Sequence, residues 1–208
     1  QISTYYRKRD QTVGQVTRIV STLVAQKRGN YLLYFPSYAY LCKIFDDFTD
    51  RDPHTEVIVQ TPRMSEPERE AFLRRFSQDN PQTLVGFAVM GGIFGEGIDL
   101  VGKRLVGAVV VGVGLPGISL ERELIKQYFA RTLNAGFEYA YLYPGINRVL
   151  QAAGRVIRTN KDRGVVLLID QRYARYQYKT LLREEWDPIS VHDAQQLADR
   201  VQDFWNQK

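Results

Sequence analysis

Three side chains in the C-terminal third carry the strongest chemical signal. Gln151, Arg155 and Arg158 stand in the run Gln151-Ala152-Ala153-Gly154-Arg155-Val156-Ile157-Arg158. On a helix they fall at i, i+4 and i+7, inside a stripe about 60° wide at ~100° per residue. Val149, Ala153, Val156 and Ile157 take the opposite side and suit a core. Two guanidinium groups aligned in this way match phosphate oxygens bidentately and stay charged at any working pH. They can neutralise charge that develops during phosphoryl transfer, where such a finger contributes about 10³ to 10⁵ in rate. The same spacing also describes a solvated basic helix face.

A second segment is rich in glycine and ends in acids: Gly91-Gly92-Ile93-Phe94-Gly95-Glu96-Gly97-Ile98-Asp99. It follows an apolar run at residues 84–89 that reads as a buried strand, so it opens at the carboxyl edge of a sheet, where α/β domains bind ligands. Its glycines permit close backbone approach and its two acids add acceptors. A third, Gly112-Val113-Gly114-Leu115-Pro116-Gly117, matches the Gly-x-Gly-x-x-Gly pattern of dinucleotide-binding turns. Pro116 stands where a phosphate-binding helix should donate amides, and the acid expected about 20 residues on could only be Glu138. A plain turn after the strand is the competing reading.

The elements that must position these segments alternate in type. Helical apolar spacing at residues 13–25 is stopped by Gly29-Asn30. Residues 31–35 are an apolar strand ending at Pro36, after which Ser37 can cap a helix to about residue 48. A short strand at 57–60 precedes Ser65-Glu66-Pro67-Glu68, a helix start with cap, proline and early acids, running to about residue 76. Residues 106–111 form an apolar, β-branched central strand. Helices are expected at 120–133 and 145–158, and a strand at 165–169. The tail from 173 is helical in parts and broken at Pro188. Apolar strands alternating with helices predict an α/β fold of three layers around a mainly parallel sheet. No linker divides the chain, so residues 1–208 read as one domain.

The 208 residues are 44% hydrophobic and 25% charged, as in an ordinary globular protein. No apolar run reaches the roughly 18 residues that span a bilayer. A single cysteine, Cys42, excludes an internal disulfide and a cysteine-based metal site, and reads as a structural thiol, buried or free. It suits a reducing cytoplasm. His54 and His192 have no partners at metal-ligand spacing and read as surface residues. The net charge of +5 is concentrated in residues 1–28, where Arg7, Lys8, Arg9, Arg18, Lys27 and Arg28 face Asp10 alone. A basic segment on a neutral body suggests an anionic partner such as nucleic acid, or a solvated helix face. The chain starts at Gln1 rather than Met, which reads as a fragment of a longer protein.

Taken together, the segments resemble the second RecA-like motor domain of XPD/DinG-type superfamily 2 DNA helicases. The run 151–158 is similar to motif VI, Gln-x-x-Gly-Arg-x-x-Arg. Gly95-Glu96-Gly97-Ile98-Asp99 is similar to motif V, and Tyr34-Phe35-Pro36-Ser37-Tyr38 to motif IV. They occur in the family's order, and the strand ending at Asp170, with Arg172 after it, also fits. The resemblance spans about residues 5–187 and implies a RecA-like fold. It implies that Arg155 and Arg158 are arginine fingers reaching into ATP held by a first motor domain, and that Gln151 positions the γ-phosphate or its water. Glu96, Gly97 and Asp99 would couple the nucleotide cleft to the DNA track. Ser37, Tyr38 and Gly92 would face the single strand, with Ser37 bonding a phosphate. It further implies Mg²⁺-ATP, 5′ to 3′ translocation, a role in repair or replication, single-stranded DNA and the first motor domain as partners, and a cytoplasmic monomer.

The departures from the family pattern are equally specific. The chain has no phosphate-gripping Gly-x-x-x-x-Gly-Lys-Ser/Thr loop, since Gly102-Lys103 is followed by Arg104, and no Asp-Glu-x-His segment for Mg²⁺. One cysteine cannot hold the four-cysteine iron–sulfur cluster that many relatives carry in the first domain. The expectation is that these parts belong to the first domain, and that the chain alone does not hydrolyse ATP. Two other readings stay open: a RecA-like module that binds DNA or protein without catalysis, and a dinucleotide-binding enzyme built on residues 112–117.

Overall fold

The computed structural model describes residues 2–94, 100, 104–156 and 162–207. Among these, Glu96, Gly97, Asp99, Ile157 and Arg158 are not included. Five strands form one parallel sheet in the order β2-β3-β1-β4-β5. They are β1 (Asn30–Phe35), β2 (Glu56–Val59), β3 (Leu84–Val89), β4 (Gly107–Val111) and β5 (Val165–Ile169). The first strand in sequence sits at the centre, with Tyr31 opposite Val85 on one side and Gly107 on the other.

Strand side chains alternate between faces, so one strand feeds two cores. Tyr31, Leu33, Phe35, Val85, Phe87, Val109 and Val111 point to one layer of helices: α1 (Arg9–Ala25), α2 (Tyr38–Arg51) and α7 (Ala194–Asn206). Leu32, Tyr34, Ala88 and Val110 point to the other, against α3 (Glu66–Arg74) and α5 (Tyr143–Ala153). The result is the expected α/β/α sandwich. Phe87 anchors the first layer, with the rings of Phe35, Phe45 and Phe48 at 5.8, 5.3 and 5.6 Å. Burial of each such ring stabilises the fold by about 2–3 kcal/mol.

Local sequence explains most helix starts. The Ser37 hydroxyl accepts the Tyr40 amide at 3.4 Å and caps α2. Ser65 and Glu68 form the reciprocal box that opens α3. Ser119 caps α4 (Leu120–Leu133), and Asp193 caps α7. A four-residue helix, α6 (Tyr176–Lys179), lies near the carboxyl end of β4, where Tyr178 packs with Val113, Leu142 and Ile146.

Three expectations are corrected. The basic first helix begins at Arg9, four residues before the apolar pattern starts. Residues 138–142 form a π-helical turn that runs directly into α5, so that helix starts at Tyr143 rather than 145. At its other end α5 stops at Ala153 rather than continuing to 158. Gly154 has poor helix propensity, and the Arg155 and Val156 amides bond back three residues, to Ala152 and Ala153. This tightens the last turn and carries Arg155 off the α-helical stripe.

Candidate functional site

The carboxyl ends of β1, β2 and β3 converge on one polar network. Pro36 ends β1, and Ser37 and Tyr38 follow at the start of α2. Gln60, just past β2, is 2% exposed and fills the space between them and β3. Its side-chain carbonyl accepts the Val89 amide at 2.8 Å, and its amide nitrogen donates to the Tyr38 hydroxyl at 2.8 Å. Tyr38 in turn donates to the Thr61 carbonyl at 3.4 Å. Burial pushes the Tyr38 hydroxyl up, and the bond from Gln60 offsets part of that rise, so it stays protonated at neutral pH. A Cβ on Gly92 would stand 3.2 Å from the Gln60 amide, which keeps this loop residue against the network. Ser37, Tyr38 and Gly92 are therefore brought together. Gln60 escaped notice in the sequence because it is a lone polar residue at a strand end, with no motif around it.

The helix that carries the arginines spans the sheet. Gly145, in its first turn, packs where a Cβ would come 2.8 Å from the Val113 carbonyl and 3.1 Å from the Leu115 amide. Arg148 crosses Gly91, whose φ of +72° and absent Cβ make room for the guanidinium. Arg148 also donates to the Gly114 carbonyl at 3.4 Å, tying the loops after β3 and β4 together. At the far end, Val156 packs against Gly164, just before β5, and Gly164 in turn lies against the Val106 carbonyl, just before β4. Gln151 is exposed, while Val149, Ala152, Ala153 and Val156 are buried. Arg155 is half-buried in the turn after the helix. Seven residues beyond Arg148 and past the end of the helix, it neighbours Val156, which packs on Gly164 before β5, rather than Gly91 at the carboxyl edge.

A buried ion pair closes the same edge. Asp170, just past β5, takes the Arg172 guanidinium at 2.7 and 2.9 Å and the Arg172 amide at 2.7 Å. The Thr4 amide at 3.1 Å and the Thr4 hydroxyl complete its shell. Burial alone would raise the Asp170 carboxyl, but bonds from Arg172 and Thr4 outweigh it and hold it below the usual carboxylate range. This latch pins the N-terminal segment to the sheet. Arg9 extends it: its Nε donates to the Thr4 carbonyl at 3.1 Å and its Nη1 to Ser37 Oγ at 3.4 Å.

The glycine pattern at 112–117 does not form a phosphate cradle. Gly114, at φ +68°, abuts the Gly145 carbonyl, and the Gly112 carbonyl accepts the Tyr173 hydroxyl at 2.7 Å. The start of α5 and the Tyr173 ring thus occupy the ground a pyrophosphate needs. Gly117 has open space around it, whereas the pattern's third glycine packs helix on strand. A dinucleotide site is not built here.

Cys42 is free and exposed on α2, and His54 and His192 are exposed as expected. Among the described residues no three His, Cys, Asp or Glu side chains could share a metal ion. No helix among them is long and apolar enough to cross a membrane. Of the aromatics near α5, Tyr128, Phe137, Tyr139 and Tyr143 are exposed and Tyr141 is buried. Tyr139 stacks on Phe129 at 4.0 Å and meets Tyr143 edge-on at 5.2 Å.

Comparison with known proteins supplies the family. The sequence pattern of the helicase C-terminal domain matches residues 20–189. The regulator of telomere elongation helicase 1 from Bos taurus is 26% identical over 93% of this chain, and the chain spans 18% of that protein. A probable ATP-dependent helicase of Methanocaldococcus jannaschii is 25% identical over 78% of the chain, which spans 27% of it. Among solved structures, an apo XPD structure superposes with a TM-score of 0.71 at 21% identity, over 87% of this chain and 36% of that one. The second domain of the DEAD-box helicase Mss116p gives 0.54 at 10% identity, covering 95% and 66%. Both share the RecA-like fold. The chain therefore belongs to the helicase C-terminal domain family, as the second RecA-like domain of an XPD-like superfamily 2 helicase.

Proposed function

We propose that residues 1–208 act as one motor domain of an ATP-dependent DNA helicase, lending arginines to a nucleotide held by a first motor domain and forming half of a single-strand track. The observation that supports this most directly is α5. One helix is anchored at the carboxyl edge by Gly145 and Arg148, and its far end presents an exposed Gln151 and a half-buried Arg155.

In this reading ATP supplies the free energy of translocation, and this chain supplies charge and positioning. Arg155 and Arg158 stabilise the negative charge that builds on the transferred phosphoryl group. Gln151 orients the attacking water. Glu96, Gly97 and Asp99 link the nucleotide to the strand, and Ser37, Tyr38 and Gly92 contact the strand itself. The sequence has no Asp-Glu-x-His segment for Mg²⁺, and the family resemblance assigns that ion to the first domain. An iron–sulfur cluster, where the complete protein has one, is assigned there too, because Cys42 alone cannot hold it. Movement is 5′ to 3′, and the protein serves repair or replication in the cytoplasm as a monomer.

The test uses the complete two-domain protein in a DNA-stimulated ATPase assay. Arg155→Ala and Arg158→Ala are expected to lower turnover at least ~10³-fold while DNA affinity stays within about twofold. Wild-type turnover in both variants overturns the finger assignment. If the parent sequence ahead of Gln1 has no intact phosphate-gripping loop, the non-catalytic alternative replaces the motor.

A further inference from the structure

We propose that Arg9 is a phosphate-contacting residue of the single-strand track, acting beside Ser37. This rests on the strand-binding reading above and names a residue that motif IV does not contain.

The argument is a count of donors and acceptors. A hydroxyl has one O–H to give and two lone pairs to accept with. Ser37 Oγ already accepts from Arg9 Nη1 and from the Tyr40 amide, each at 3.4 Å. Its O–H must therefore donate elsewhere, and among the described residues no acceptor meets it. Arg9 has the same surplus. Of its five N–H groups, Nε donates to the Thr4 carbonyl and one on Nη1 to Ser37. The other three have no acceptor among the described residues.

Nor is the charge on Arg9 balanced. The neighbouring carboxylate is Asp170, and it is saturated by Thr4 and Arg172, which contribute two and three hydrogen bonds. Asp170 still favours the charged form of Arg9 from a distance, but its oxygens are taken, and Arg9, at half-buried depth, makes no ion pair among the described residues. Burial, the largest cause, and the nearby Arg172 work against the charged form of Arg9 and outweigh the support from Tyr40, Tyr6 and Asp170. The Tyr6 and Tyr40 rings lie under the guanidinium at 5.6 and 5.5 Å, but neither is a carboxylate that could pair with it. Converging N–H and O–H donors, with net positive charge and no acceptor, call for an anion. On the edge where Ser37, Tyr38 and Gly92 meet, that anion is a backbone phosphate of the strand. The Thr4–Asp170–Arg172 latch fixes the Thr4 carbonyl, which aims Arg9 at it.

The experiment measures fluorescence anisotropy of a labelled oligodeoxythymidylate of about 20 nucleotides against this chain, across a salt titration. Arg9→Gln is expected to weaken binding about tenfold or more, as for loss of a charge-assisted bond. It should also reduce the slope of log affinity against log salt by about 0.7, the value for one single-strand phosphate contact. Arg200→Gln, on the exposed side of α7, calibrates the loss of one charge elsewhere and should move neither by as much. If Arg9→Gln fails to fold by circular dichroism, Arg9→Lys is read instead. It should keep the slope and lose severalfold in affinity, because a point charge replaces a planar fork. Undiminished affinity in the folded variant overturns the Arg9 assignment alone. If the unaltered chain binds no strand at low salt, the strand-binding reading fails and takes this proposal with it.

Discussion

Gln60 shows how much one buried amide holds at the carboxyl edge. It satisfies the Val89 amide and orients the Tyr38 hydroxyl at the same time. Gln60→Leu keeps the volume but strands a buried backbone donor, which costs roughly 1–3 kcal/mol. Urea denaturation should register that loss, and strand affinity should fall with it because Tyr38 is no longer held. Asp170 gives a different signature. Its carboxyl is depressed in the folded state, so its stabilisation is complete above the ordinary carboxylate pKa of 3.8 and fades as pH falls through the lower folded value. Asp170→Asn is expected to lose about 3–5 kcal/mol at neutral pH, the cost of leaving the Arg172 charge buried and unpaired. Its urea midpoint should then fall less steeply than that of the unaltered chain below about pH 4. None of these contacts was visible in the sequence. Thr4 and Asp170 are 166 positions apart, and Gln60 and Val89 are 29 apart. Motif spacing reports residues that share an element, not those that meet across a sheet edge.

At the scale of elements, the sequence read well wherever caps and periodicity agreed. Both β3 and α4 fall on residues 84–89 and 120–133 as expected, because Thr83 and Ser119 mark sharp changes from polar to patterned sequence. The failures cluster around α5, where glycines and aromatics send mixed signals. A helical wheel drawn through Gly154 puts Arg155 on a straight stripe, whereas the backbone tightens there and ends the helix at Ala153. The π-helical turn before Tyr143 has no period of its own to read. Gly145 and Gly114 seat this helix by direct contact of their backbones. Gly145→Ala should therefore destabilise by about 1–3 kcal/mol through overpacking. Gly117→Ala should change the melting temperature little, since nothing stands near its added methyl. A large loss at Gly117 with tolerance at Gly145 would reverse the packing described for this turn.

At the scale of the molecule, the net charge of +5 and its concentration in residues 1–28 predict strand binding that weakens steeply with salt. Affinity constant from about 50 to 200 mM salt would argue against a phosphate-dominated contact. The isolated chain should show no ATPase activity with or without DNA. Calorimetry with NAD should show no heat of binding, because α5 and Tyr173 fill the glycine turn. The fold class was legible because apolar strands recur among helices, even though no α-helix separates β3 from β4 among the described residues. The sheet order was not, since parallel pairing leaves no hairpin signal to read.

That sheet order has a consequence for how the chain acquires its shape during synthesis. The strand made first is the one that ends in the middle. Asn30 must wait for Leu84, and Tyr31 for Gly107, before either flank of β1 is covered. Its tyrosines and leucines emerge from the ribosome well before their neighbours, and closing such long loops is slow. Nascent chains halted between residues 36 and 84 should therefore recruit chaperones more strongly than those halted after 111. Thr4, which precedes every strand of this sheet, finds Asp170 only after the fifth strand has been laid down, so the bolt slides home last.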